Sequence, residues 1–179
     1  TQMDDMRDAI GAWLKFRGKS LNSKDPAELA QAKTDALMAK PNLKAYISAP
    51  VKASLVAGDV WVAQLWNGDT IQAKAENENI EFAVPKEGAA IWADSMVIPK
   101  GAKNVRAAHE FLNYTLRAEV AAAISTETGY GSPNAAGSAK MEAPVPFPTD
   151  EQMKNLEYQQ DLAEATAAWD PLWTEIKSG

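Results

Sequence analysis

Trp92 and Asp94 stand two residues apart in the run IWADSMVIPKGAKN, residues 91–104. In an extended strand, residues i and i+2 face the same side. The spacing therefore predicts a flat π surface beside a negative charge. That pair suits an organic ammonium ion: the ring face attracts the cation and the carboxylate accepts its N–H bonds. PKGAKN then supplies a turn with a helix start behind it. A second indole, Trp66, closes an apolar run just before Asn67-Gly68-Asp69. Tyr130 sits between Gly129 and Gly131, on a loop that needs no aromatic for its structure. Asp5 and Asp8 fall in the first turn of a predicted helix, and Asp69 at the start of another. Plain structural roles stay open for each residue. Asp5, Asp8 and Asp69 can serve as caps and dipole partners. Asp94 can serve in a turn, and Trp66 and Trp92 can be ordinary packing.

Other chemistries find little to work with. The chain has no cysteine, so disulfides and thiolate chemistry are excluded. Its one histidine, His109, is expected on a helix surface, and with no further imidazole or thiol a transition-metal site is not expected. No Walker loop, GxGxxG or GxSxG appears, and no cofactor is expected. Two-carboxylate catalysis needs a chosen pair, and nothing singles one out. A binding protein is a simpler reading than an enzyme. The net charge of −6 disfavours nucleic acid and anionic membrane as partners. With 179 residues, 46% of them hydrophobic, the chain can build one domain with a real core or two small lobes. No apolar run approaches membrane-spanning length. No signal-peptide pattern opens the sequence, which starts at Thr1; the expectation is a removed leader or a longer parent.

The elements that must position these residues follow from periodicity and caps. Residues 4–17 predict a helix, with Met6, Ile10, Trp13 and Leu14 at helical spacing and Gly18 at its end. Residues 25–39 predict another, capped by Asp25 with Pro26 at the first position. A short strand over 44–48 and a brief helix over 50–58 follow. VWVAQLW, 60–66, predicts a buried strand. A helix over 69–77 comes next, then strands ending at Pro85 and over 89–98. Asn104 opens a helix with Ala108, Phe111, Leu112 and Leu116 on its inner side, and a second runs over about 118–127. GYGSPN, 129–134, is a tight loop, and residues 142–149 form an extended linker. Helices over about 150–164 and 166–177 complete the chain. Trp13, Trp61, Trp169 and Trp173 are expected in the core. Strands alternate with helices up to residue 98, which predicts an α/β fold with partly parallel pairing and a helical tail.

Taken together and in this order, VWVAQLWNGD, FAVPKEGAAIWADSMVIPKGAKN, AHEFLNYTLRAEVAAAI, TGYGSPN and WTEIKSG resemble the spermidine/putrescine-binding proteins of ABC importers. The likeness runs from DDMRDAI to the last residue. The resemblance implies a periplasmic-binding-protein type II-like fold, here mainly one lobe with a C-terminal helical tail. It implies a periplasmic location, a polyamine ligand in an interlobe cleft, and ABC permease subunits as partners. It divides the chain into a second-lobe α/β core over 1–96, a segment crossing to the first lobe over 97–138, and a linker with returning helices over 139–179. The first lobe would precede DDMRDAI, so residues 105–128 should repack, or pair with a second copy. The resemblance also implies ligand contacts. Asp5 and Asp8 of DDMRD would take an amine, Asp8 standing where the family has a longer glutamate. Ser48 of YISAP matches the family's serine, and Trp66 its strand-end tryptophan. Asp69 matches the acid of putrescine-preferring members. Trp92, Asp94, Tyr130 and Gln159 complete the set. The same fold with another ligand, or a sensing module without transport, are the alternative readings.

Overall fold

A computed structural model of the chain describes residues 1–179. Helix α1 (Met6–Phe16) begins at Asp5, whose extended backbone and carboxylate accept the Arg7 and Asp8 amides. Helix α2 (Pro26–Ala39) begins at Asp25 in the same way, with Pro26 in the first turn. Each cap satisfies amides that would otherwise lack a partner, and is worth ~1 kcal/mol. Gly18 ends α1 in the left-handed region, φ 67°, letting the Lys19 amide turn back to the Leu14 carbonyl.

One apolar face of each of three helices meets in a single core. Ile10 and Leu14 come from α1, Leu29, Ala32 and Ala36 from α2, and Trp169 and Ile176 from the terminal helix α9 (Thr166–Ser178). These positions repeat at helical spacing, so one stripe of each helix is removed from water. Arg17 straps α1 to α2 by donating to both carboxylate oxygens of buried Asp35, at 2.7 and 2.6 Å. Lys40 donates to the Ile176 and Lys177 carbonyls and so caps the C-terminus of α9.

The remaining elements lean on this frame. Helix α3 (Val51–Val56) packs on α4 (Asn67–Glu76), and α4 on α6 (Ala118–Thr128). Helix α5 (Val105–Thr115) and the short α7 (Ala135–Ser138) also pack on α6. Strand β1 (Ala89–Ile91) pairs in parallel with β2 (Leu156–Tyr158), aligning Ile91 with Tyr158. Glu157 of β2 accepts from Lys15, Ser20 and the Leu21 amide, tying the strand pair to α1. The short α8 (Asp150–Met153) precedes β2 behind a Thr149/Gln152 capping box.

The structure corrects several expected elements. Residues 60–66 form no strand. They lie beside residue 1, through Thr1 to the Val62 carbonyl and Gln64 to the Thr1 carbonyl, but Trp61 is 91% exposed. Such a β-rich run forms a buried strand only where a second layer covers it, and none does here. Trp61 is accordingly not a core residue. The alternating run Ile80, Phe82, Val84 pairs with no neighbour, and the strand expected over 89–98 stops at Ile91. The strand expected over 44–48 is a single bridge, Tyr46 to Gln2. The helix expected over 150–164 is instead α8, β2 and a 3₁₀ turn over Ala163–Ala165. His109 lies on an exposed helix surface, as its context predicted. On α5, the expected inner face is only partly covered: Ala108 and Leu112 are half-buried, while Phe111 is 60% and Leu116, just past the helix end, 65% exposed.

Candidate binding site

The two parallel strands end at the same hollow. Trp92 follows β1 directly and Gln159 follows β2 directly, which is where ligand sites gather in α/β folds. Trp66 enters from the residue ahead of α4, where its extended backbone (φ −70°, ψ 144°) opens the helix. Asp8 enters from the first turn of α1, and Tyr130 from the loop after α6. Asp94 follows two residues after Trp92. These six side chains line one cavity of about 520 Å³, within the range of small-molecule sites. Trp92 and Tyr130 meet edge to face, 5.9 Å between centroids at 77°.

A close joint of two glycines fixes Tyr130. A methyl group at Gly68 would lie 2.6 Å from the tyrosine ring, so only glycine lets the ring rest there. Gly129, φ 75°, packs against the Gly68 carbonyl at a distance that no side chain would tolerate. The Ser125 hydroxyl donates to the Tyr130 carbonyl, and Gln72 of α4 donates to the Thr128 carbonyl at 3.0 Å. The first ties the loop to α6 and the second ties the end of α6 to α4.

The other three expected contacts do not line the hollow. Asp5 is committed to α1, its Oδ1 accepting from Arg7 and Asp8 amides at 2.8 and 3.0 Å. Ser48 accepts the Asp4 amide at 3.0 Å and holds the entry to that helix. Asp69 stands in the first turn of α4, behind Trp66. Two of the three still act on the hollow through charge. Burial first, then Asp5, pushes the Asp8 carboxyl above its usual range, while a 2.9 Å bond from Gln159 and the Arg7 guanidinium oppose the shift. Burial first, then Asp69 and Asp94, pushes the Tyr130 phenol upward. Sequence reasoning missed Tyr158, Ala90, Ile91 and Ala93, which also line the cavity. Their signal was position at the carboxyl ends of strands, and for Tyr158 its place just before Gln159.

Chemically, the hollow offers aromatic faces and carboxylates, and no lysine or arginine lines it. Arg7 is nearby but turns to the Gln160 carbonyl and Asn22. Such a lining favours an organic cation over an anion. No group of three His, Cys, Asp or Glu side chains is placed to hold a metal ion.

Comparisons with known proteins agree with the shape. The chain is 32% identical over 98% of its length to spermidine/putrescine-binding periplasmic protein 1 of Haemophilus influenzae, covering 50% of that protein. It is 35% identical over 99% of its length to a putrescine/cadaverine-binding protein of Pseudomonas aeruginosa, covering 53% of it. The chain thus spans about half the length of the curated relatives it matches. A structure from Listeria monocytogenes, assigned to a spermidine/putrescine ABC transporter, superposes with a TM-score of 0.90 at 33% identity, covering 99% of this chain and 56% of that one. The TpPotD lipoprotein of Treponema pallidum superposes at 0.87 with 29% identity, covering 98% and 56%. The fold is therefore that of the type II periplasmic binding proteins. Residues 1–155 match the model of the bacterial extracellular solute-binding proteins, and the chain belongs to that family.

Proposed function

We propose that this chain is the ligand-binding part of a periplasmic polyamine receptor serving an ABC importer, and that it takes putrescine or spermidine. One observation carries the reading: Trp66, Trp92, Tyr130 and Tyr158 share a hollow with Asp8 and Asp94, and no cationic side chain competes there. A polyamine is a row of ammonium groups joined by methylenes. Ring faces suit the methylenes and the adjoining charge, at roughly 0.5–2 kcal/mol per contact. Asp8, steadied by Gln159, takes one ammonium, and Asp94 takes the other beside Tyr130. Asp69 adds negative charge at that end, which tilts the choice toward a diamine. Asp5 and Ser48 serve the site from behind, by holding the α1 entry that carries Asp8. The relatives, named as spermidine/putrescine and putrescine/cadaverine binders, support the ligand class.

In this reading residues 1–96 and 139–179 form one lobe, and residues 97–138 cross to another. The exposed apolar residues Phe111, Tyr114 and Leu116 then pack against the part that the relatives carry beyond the matched half, or against a second copy. Calorimetric titration with putrescine, spermidine and spermine, and with an anionic solute as control, tests the ligand class. Heat from an amine alone supports it; heat from the anion and from no amine overturns it.

A further inference from the structure

We infer that Asn22 is a positioning residue, whose side-chain amide clamps residues 158–160 so that Gln159 reaches Asp8 across the hollow. The parallel pairing with β1 ends at Tyr158, and beyond it the chain has lost its strand partner. Asn22 replaces that partner. Its Nδ2 donates to the Tyr158 carbonyl at 2.9 Å, and its Oδ1 accepts the Gln160 amide at 2.8 Å. The two bonds bracket Gln159 as a neighbouring strand would. Arg7 reinforces the clamp: it donates to the same Asn22 oxygen and to the Gln160 carbonyl, both at 2.8 Å. The loop that bears Asn22 is itself fixed to β2, since Ser20 and the Leu21 amide donate to Glu157.

The consequence falls on Asp8. Gln159 Nε2 donates to Asp8 Oδ1 at 2.9 Å, and that bond opposes the upward push of burial on the carboxyl. The charged groups that face Asp8 are Asp5 and Arg7 of its own helix, and the neutral amide of Gln159 comes from beyond β2. A Gln159 released from its bracket keeps its side-chain entropy and makes the bond only part of the time. Asn22 therefore sets both the geometry and the charge state of one end of the hollow without lining it. The inference rests on the polyamine reading for its functional meaning alone, since the clamp itself involves no ligand.

The test is a double-mutant cycle on the whole chain, read by the carboxyl titration of Asp8 in nuclear magnetic resonance. In Asn22→Ala, the Asp8 midpoint is expected to move to higher pH. In a Gln159→Leu background, the same substitution is expected to leave the midpoint where Gln159→Leu alone puts it. An unmoved midpoint in folded Asn22→Ala, or an equal shift in both backgrounds, overturns the inference. Should Asn22→Ala not fold, amide exchange in the native chain decides the matter, because Asn22 is the acceptor for the Gln160 N–H. A protected Gln160 amide supports the clamp, and exchange at the free-peptide rate overturns it. Putrescine affinity should fall about five- to tenfold in Asn22→Ala, the effect of one hydrogen bond. Unchanged affinity alongside a shifted Asp8 overturns the functional half. Failure of the unsubstituted chain to bind any amine counts against the polyamine reading and leaves the titration and exchange results to judge the clamp.

Discussion

Substituting Gly68 by alanine should damage the hollow while sparing the fold. The added methyl would meet the Tyr130 ring at 2.6 Å from Cε1 and Cζ and 2.8 Å from Cε2. Carbon atoms rest at about 3.5–4.0 Å, so the ring must move by about 1 Å or more. It can do so, because those atoms are the far end of a side chain that borders an open cavity. The loss is the edge-to-face pairing with Trp92, about 0.5–1.5 kcal/mol. The gain is the removal of a glycine from the first turn of α4, at most the roughly 0.5–1 kcal/mol of a helix interior. These nearly cancel, so the urea midpoint should stay close to that of the unsubstituted chain. The Tyr130 phenol should report the change. Burial, Asp69 and Asp94 hold it above the usual range, and a ring pushed aside loses part of that, so it titrates at lower pH. Absorbance titration, with Tyr130→Phe to identify the signal, measures it. Loss of one ring–cation contact, about 0.5–2 kcal/mol, predicts two- to thirtyfold (about) weaker putrescine binding. Gly129→Ala provides the contrast. Its methyl would strike the Gly68 carbonyl, which is backbone and cannot swing away, at a positive φ costing about 1–2 kcal/mol by itself. That variant should lose stability. Should Gly68→Ala leave the Tyr130 titration untouched, or Gly129→Ala prove neutral, the two-glycine joint is refuted.

Ala163 holds φ 49° with its amide bonded to Asp161, so Ala163→Gly should stabilise the chain by about 1 kcal/mol, seen as a raised urea midpoint. Trp169 is fully buried beneath the Arg7 guanidinium, so Trp169→Ala should cost about 3–5 kcal/mol, a large share of any domain's stability; a loss under about 1 kcal/mol in urea unfolding would contradict the core described above. The Arg17 hydrogen bonds hold the Asp35 carboxyl below its usual range. A carboxyl lowered on folding adds stability that is complete above its unfolded range and is lost as pH falls through its folded value. Arg17→Met should therefore flatten the acid limb of the stability–pH curve, besides destabilising the chain at neutral pH. Asp8 is shifted the other way, so putrescine affinity should begin to fall on acidification at a higher pH than an ordinary aspartate dictates.

What the sequence made legible is what local physics decides. Helices α1 and α2 carry their own start signals, Asp5 and Asp25, and the apolar stripe of α1 names the core residues Ile10 and Leu14. Strand β2 was not legible for the converse reason. Residues 150–164 are rich in helix formers, and only the distant partner Ala89–Ile91 draws Leu156–Tyr158 into extended pairing. Residues 60–66 failed in the opposite sense. Their composition fits a covered strand, but cover is supplied by tertiary structure, and Trp61 and Val62 have none.

For the hollow, the distinction between a ligand-facing acid and a capping acid lies in the accounting of lone pairs. Asp5 and Asp8 stand three residues apart in one helix start, and no pattern separates them. The geometry does, because Asp5 spends an oxygen on two amides, one of them that of Asp8 itself. An N-cap side chain must turn back along the helix, which removes it from the hollow. Asp8, three residues on, accepts no backbone amide and projects from the helix into the cavity, where the Gln159 side chain donates to it. Asp5 still shapes the site, since its fixed charge is the second cause of the raised Asp8 carboxyl. The Asp5 charge strengthens the pull on a cation that reaches Asp8, because its arrival offsets the repulsion between the two carboxylates. A helix cap thus becomes part of the electrostatics of binding while touching nothing that binds.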